Sequence, residues 1–167
     1  MQYFRESITN RGWDGLAFAE PPAGGDSQRN GVPMSSRDRV ETAVRTHFEA
    51  WNAADRSRWT SIWHPEVVMF DPVGGPEKRG SAAVEKMWDR AFQPGHSWQI
   101  EPVFMTVCDD QAAVYVRNRG NLEGQIVELE SIEIYWVGSD GRIARVNSYF
   151  SVAEGQVLDP YWMNTDS

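Results

Sequence analysis

An α+β fold, with three N-terminal helices packed on one face of a curved antiparallel β-sheet, is predicted by three observations. Apolar residues recur at i, i+3, i+4 and i+7 over residues 40–51 and again over 84–92, the period of helices that turn one face to a core. The second half of the chain alternates instead, in "SWQIEPVFMTV", "QAAVYVRN", "GQIVELESIEIYWV" and "RIARVNSYFSV", cut by the turn signals "CDD", "RGNLE" and "GSDG". Helices first and a meander of strands afterwards pack as segregated layers, which can enclose a cone-shaped cavity.

Residues 1–36 contain "PPAGG" and "GDSQRNG" and little periodicity, so they read as an arm, either flexible or packed on its own or a neighbouring subunit. From Ser36 the stripe Val40, Ala43, Val44, His47, Phe48 and Trp51 marks the first helix, with His47 on the buried face. Asp55 caps a short second helix carrying Trp59, Ile62 and Trp63, which stops before Pro65 because the residue preceding a proline disfavours helix. A strand over 66–71 leads into the loop "DPVGGPEKRG". Ser81 caps a third helix, whose apolar face is Val84, Met87, Trp88, Ala91 and Phe92. The domain spans 37–153, and 154–167 form a C-terminal tail.

At 167 residues the chain builds one well-buried core rather than two domains. A formal charge of -8 argues against binding to a phosphate backbone, so nucleic acid is not an expected partner. No apolar run approaches the roughly 20 residues of a membrane span, and no apolar stretch at the N-terminus resembles a signal peptide. A soluble, cytoplasmic protein is expected, with no membrane partner. Cys108 is the only cysteine, and His47, His64 and His96 lie too far apart for a metal motif. Without a Gly-x-Gly-x-x-Gly either, no cofactor is expected. Eight tryptophans suit a roomy aromatic pocket or an ordinary core.

Three polar residues stand where apolar ones cost less: His47 on the helix stripe, Asp71 after "VVMF", and Glu133 inside "SIEIYWV". Asp71 before Pro72 is either a turn former or a base at the mouth of an apolar pocket. His47 is either a functional group or a core histidine bonded to a backbone carbonyl. Glu128 and Glu130 share one face, and Glu133 lies on the other with Leu129, Ser131, Tyr135 and Val137; the apolar company of Glu133 marks the inward face.

The stretch "DPVGGPEKRGSAAVEKMW" resembles the loop and following helix of the ketosteroid isomerases, and "FEAWNAADRSRW" is similar to their first-helix segment. With the meander and the late "SDGRI" turn, the resemblance covers about residues 37–150 and implies the cone-shaped fold shared by nuclear transport factor 2 and the SnoaL-like polyketide cyclases. It places Asp71 on the family's catalytic base, which moves a proton between two carbons of a steroid enone precursor. His47 stands where the family has an oxyanion-hole tyrosine, and Glu133 where it has a protonated aspartic acid, a group kept neutral by its apolar site. Trp63, Met87, Trp88, Val116 and Phe150 match positions that line the steroid cavity.

Three functions follow from these residues. The first is an isomerase-like enzyme in which Asp71 abstracts a proton α to a carbonyl while Glu133 and His47 stabilise the dienolate oxygen. The second is a dehydratase or polyketide-cyclase-like enzyme with His47 as acid or base, and the third a non-catalytic binder of an apolar small molecule. A homodimer is expected by analogy, through the sheet face bearing "IEIYW".

Overall fold

The computed structural model describes residues 34–150, so the arm and tail expected at 1–36 and 154–167 lie outside the described residues except for positions 34–36. Helix α1 (Ser36–Asn52) starts where the Ser35 hydroxyl accepts the Asp38 amide at 3.1 Å, with Asp38 favourably placed in the first turn. Its buried face carries the expected stripe with Ala50 added. Asp55 caps α2 (Arg56–Ser61) through the Arg58 amide, as its sequence position predicts.

The chain departs from expectation on either side of Pro65. Trp63 is not helical: it begins β1 (Trp63–Phe70), which runs through the proline and starts three residues before the strand expected at 66–71. Proline favours an extended predecessor, and the pairing of β1 is irregular between Trp63 and Val68, so its missing amide interrupts no regular ladder. The two-residue β2 (Lys78–Arg79) then pairs antiparallel with β1, too short to show alternation in sequence. Helix α3 (Gly80–Ala91) begins one residue before Ser81, which is therefore not its cap; Arg79 holds that place without a side-chain bond. Gly80, at φ +76°, turns the chain from strand into helix in a conformation that L side chains rarely adopt.

Strands β3 (His96–Cys108), β4 (Gln111–Leu122), β5 (Gln125–Val137) and β6 (Ile143–Tyr149) form the antiparallel meander. The six-stranded order is β2-β1-β6-β5-β4-β3, antiparallel throughout except where β1 lies parallel to β6. That contact brings the end of β1 beside the inner face of β5 and β6. A pairing irregularity at Pro102–Phe104 bends β3, as bulges do.

Beneath the helices lies an aromatic cluster in which Trp59, fully buried, is 5.1–5.3 Å from the ring centres of Trp51, Trp63 and Trp88. The Asn52 side chain exchanges two 2.8 Å hydrogen bonds with the Ile100 backbone, fixing the end of α1 to β3. No helix among the described residues is long and apolar enough to cross a membrane.

Gly120 lies opposite Trp98 across β3 and β4, and a Cβ there would come within 2.7–2.9 Å of the indole ring. Gly120→Ala should therefore displace Trp98 and destabilise the fold by about 1–3 kcal/mol. Urea unfolding checks this, and an unchanged midpoint would show that Trp98 relaxes freely.

Candidate active site

The helices and the inner face of the sheet enclose a cavity of about 110 Å³, below the ~300–1,000 Å³ typical of drug-sized ligand sites. Its wall is apolar except where α1, the end of β1, and strands β4 to β6 each contribute polar side chains.

Alternation along β5 brings Ser131, Glu133 and Tyr135 to one face, so the neighbours two residues away can solvate the glutamate. The Ser131 hydroxyl donates to Glu133 Oε1 at 2.9 Å, and the Tyr135 hydroxyl makes a short hydrogen bond to Oε2. The Asn118 amide in turn donates to Ser131 Oγ at 3.2 Å. Part of Glu133 opens onto the cavity, but protein atoms enclose its carboxyl. This burial is the main reason its pKa is pushed up to about 7; the nearby charge of Asp71 raises it further, against the two hydroxyl hydrogen bonds. Burial likewise lifts Tyr135 well above the usual phenol range, reinforced by Glu133.

Asp71 follows the last residue of β1, where the chain turns through Pro72, and lines the same cavity. Burial raises its carboxyl; the positive charge of Lys78 and a hydrogen bond from Ser148 oppose the rise. Lys78, 5% exposed, donates through Nζ to the Asp71 carbonyl at 2.7 Å and to that of Pro76 at 3.4 Å, tying down the loop. Ser148 on β6 is the register partner of Glu133 on β5. The strand pairing thus sets the residue that holds Asp71 beside the second carboxyl.

His47 is buried, and its partner is an indole rather than the backbone carbonyl expected for a core histidine: Trp59 Nε1 donates to Nδ1 at 2.9 Å. With Nδ1 accepting, the proton of the neutral ring belongs on Nε2. Burial lowers the imidazole to about 3, so it is uncharged at neutral pH. Its ring packs edge-on to Trp63 at 5.3 Å and lies 5.6 Å from Tyr135.

His47, Asp71, Glu133, Trp63, Met87 and Phe150 all line the cavity. Trp88 and Val116, expected beside them, do not: Trp88 stacks on Phe92 at 4.2 Å behind Trp51 and Trp59, and Val116, 1% exposed, is spent on the core. Tyr135, Ser131, Ser148, Lys78, Asn118 and Trp59 were not singled out as site residues from sequence. Parity with Glu133 could have found Ser131 and Tyr135; Ser148 and Lys78 become visible only once strands are paired. Among the described residues no group of three or more His, Cys, Asp and Glu is arranged to hold a metal ion.

A family model described as the SnoaL-like domain matches residues 44–146. No curated protein matches the sequence. Among solved structures, Δ5-3-ketosteroid isomerase from Mycobacterium sp. is 19% identical over 68% of this chain and 93% of its own, with a TM-score of 0.61. An LEH-like epoxide hydrolase from M. tuberculosis is 17% identical over 68% of this chain and 83% of its own, also at 0.61. SalBIII, an epoxide hydrolase/cyclase-like enzyme in pyran ring formation in the polyether salinomycin, is 17% identical over 68% and 91%, again at 0.61. Identities this low establish a shared fold and leave the reaction to be argued from the site.

Opposite pH dependences follow from the two buried groups. Glu133 binds its proton more tightly folded than at its ordinary 4.5, so that contribution to stability is present below 4.5 and lost as pH rises through about 7, by roughly 3 kcal/mol. His47 binds its proton less tightly than at its ordinary 6.5, so its contribution is present above 6.5 and lost as pH falls toward 3. Unfolding free energies measured across this range should show Glu133→Gln gaining on the wild type as pH rises. His47→Gln, which keeps an acceptor for Trp59, should gain on it as pH falls. Parallel curves for the wild type and either variant would mean that residue titrates normally.

Proposed function

The chain belongs to the SnoaL-like domain family, of NTF2-like fold, and from that premise we propose that it is a ketosteroid isomerase-like enzyme that moves a proton next to the carbonyl of a compact apolar substrate. One observation carries this reading. Two carboxyl groups share one apolar-walled cavity and burial raises both, but their surroundings differ: the Lys78 charge and Ser148 work against the rise at Asp71, whereas only neutral hydroxyls oppose it at Glu133, which is pushed up to about 7. Such a pair is the mark of an acid and a base working together.

In this mechanism the Asp71 carboxylate takes a proton from the carbon α to the carbonyl, and the electron pair moves onto the oxygen. Neutral Glu133 has one O–H to donate to that oxygen, and His47 offers Nε2–H as a weaker, uncharged donor. Protonated Asp71 then returns the proton to the γ carbon, and the double bond moves into conjugation. No atom is gained or lost. The cavity volume supports a substrate smaller than a drug-sized ligand.

A dehydratase or cyclase that exchanges protons through His47 near pH 7 is less well supported, because that ring has a pKa of about 3 and its Nδ1 is occupied by Trp59. Such chemistry on this fold would have to use the carboxyl pair instead. A homodimer is part of the proposal and is supported by one outer-face row running in register across four strands. Phe104, Tyr115, Ile132 and Tyr149 make up this row, and three of the four are 47–64% exposed. Sedimentation equilibrium should give a dimer mass.

Cyclohex-3-en-1-one and a β,γ-unsaturated ketosteroid provide a small and a large probe. Asp71→Asn should lower turnover about 10²–10⁴-fold while leaving binding nearly intact. Lys78→Met should move the acid limb of kcat/KM to higher pH, since Asp71 loses the charge that holds its pKa down. Glu133→Gln should flatten the alkaline limb expected near pH 7. Binding of both ketones without turnover would leave a non-catalytic binder as the better account.

A further inference from the structure

Asn118 is a polar side chain of the cavity that the proposed reaction does not use. The inward positions of β4 are otherwise Ala112, Val114, Val116 and Gly120, all buried. Asn118 sits in a register row with Ile100 on β3 and Leu129 on β5, and all three line the cavity. Asn118 is half-buried at the edge of the apolar wall, where the cavity meets a more open depression bordered by Arg117, Arg119 and Glu128, and its amide has up to four hydrogen-bonding sites. One is used: Nδ2 donates to Ser131 Oγ at 3.2 Å. Among the described residues the carbonyl oxygen and the second N–H have no other partner.

The amide is also close to the acid. Ser131 Oγ is 3.2 Å from Asn118 Nδ2 and 2.9 Å from Glu133 Oε1, so amide and carboxyl are separated by no more than those two hydrogen bonds laid end to end. We infer that Asn118 is a specificity-determining residue that binds a second oxygen of the substrate, a hydroxyl or ketone two or three carbons from the carbonyl held at Glu133. A bound substrate that covers the amide displaces water from its unused sites, so one with its own hydrogen-bonding group there replaces those bonds, whereas a hydrocarbon leaves them unpaired. The preferred substrate is then a compact hydroxy-ketone or diketone rather than a simple ketone. The inference rests on reading this cavity as the substrate site, but not on which proton is moved there.

Equilibrium binding of two flat, enol-like probes, 2-naphthol and 1,3-dihydroxynaphthalene, separates the possibilities, since the second has one hydroxyl more. The wild type should prefer the dihydroxy compound by about 3- to 10-fold, the worth of one net hydrogen bond. Asn118→Leu should abolish that preference, costing the dihydroxy compound about 3- to 10-fold more affinity than it costs 2-naphthol, and Asn118→Ala serves if the leucine variant misfolds. Equal losses for both probes would overturn the inference and leave Asn118 as a support for Ser131 and Glu133. Absence of a preference in the wild type would overturn it too. If neither probe binds the wild type, the inference and the proposed function fall together; an Asn118-dependent preference without ketone turnover keeps the inference and removes the reaction.

Discussion

Two carboxyl groups placed in one apolar cavity cannot both ionise cheaply, because each charge loses its water and repels the other. The site is organised around that constraint. At Glu133 burial prevails, and the hydroxyls of Ser131 and Tyr135 satisfy the carboxyl without supplying a charge. At Asp71 a nearly buried lysine and a serine work against the same desolvation. The difference between the two surroundings is the source of any acid–base chemistry the cavity performs.

The fold makes that difference possible through register. The parallel contact of β1 with β6 brings Asp71 to the inner face, and pairing of β6 with β5 sets Ser148 opposite Glu133. A slip of one residue in either ladder would turn Ser148 or Glu133 to the other face and uncouple the pair. Short β2 serves the same end, since its pairing with β1 seats Lys78 against the loop that carries Asp71. The helices supply the aromatic side of the cavity, and Trp59 donates its N–H to His47, fixing an uncharged ring that offers a donor without adding a third charge.

Most of the fold was legible because its signals are local. The stripe on α1, the Asp55 cap and the alternation of β3 to β6 all lie within a few residues of chain, and each appears as expected. The failures were where two local rules competed or where a partner lay far away. Pro65 reads as a helix stop, but α2 already ends at Ser61 and the strand runs through the proline and claims Trp63. Ser81 satisfied a capping rule that Gly80 overrode by its backbone conformation. Asp71, His47 and Glu133 could be named because each breaks an apolar pattern, and all three line one cavity. Lys78, Ser148 and Asn118 broke no pattern strong enough to notice, because what matters about them is the strand or loop they face. Trp88 and Val116 fit the apolar pattern equally well as wall or core, and periodicity cannot tell these apart.

The central claim is that Asp71 moves a proton on the carbon next to a carbonyl while the neutral acid beside it carries the oxygen. Deuterium incorporation at the α carbon of cyclohex-3-en-1-one, followed by NMR in D2O at neutral pH, measures that step without requiring the double bond to move. The wild type should exchange the α position well above the buffer rate, with Asp71→Asn reduced to that rate although the ketone still binds. Exchange no faster than buffer in the wild type, or equal in the variant, would contradict the account.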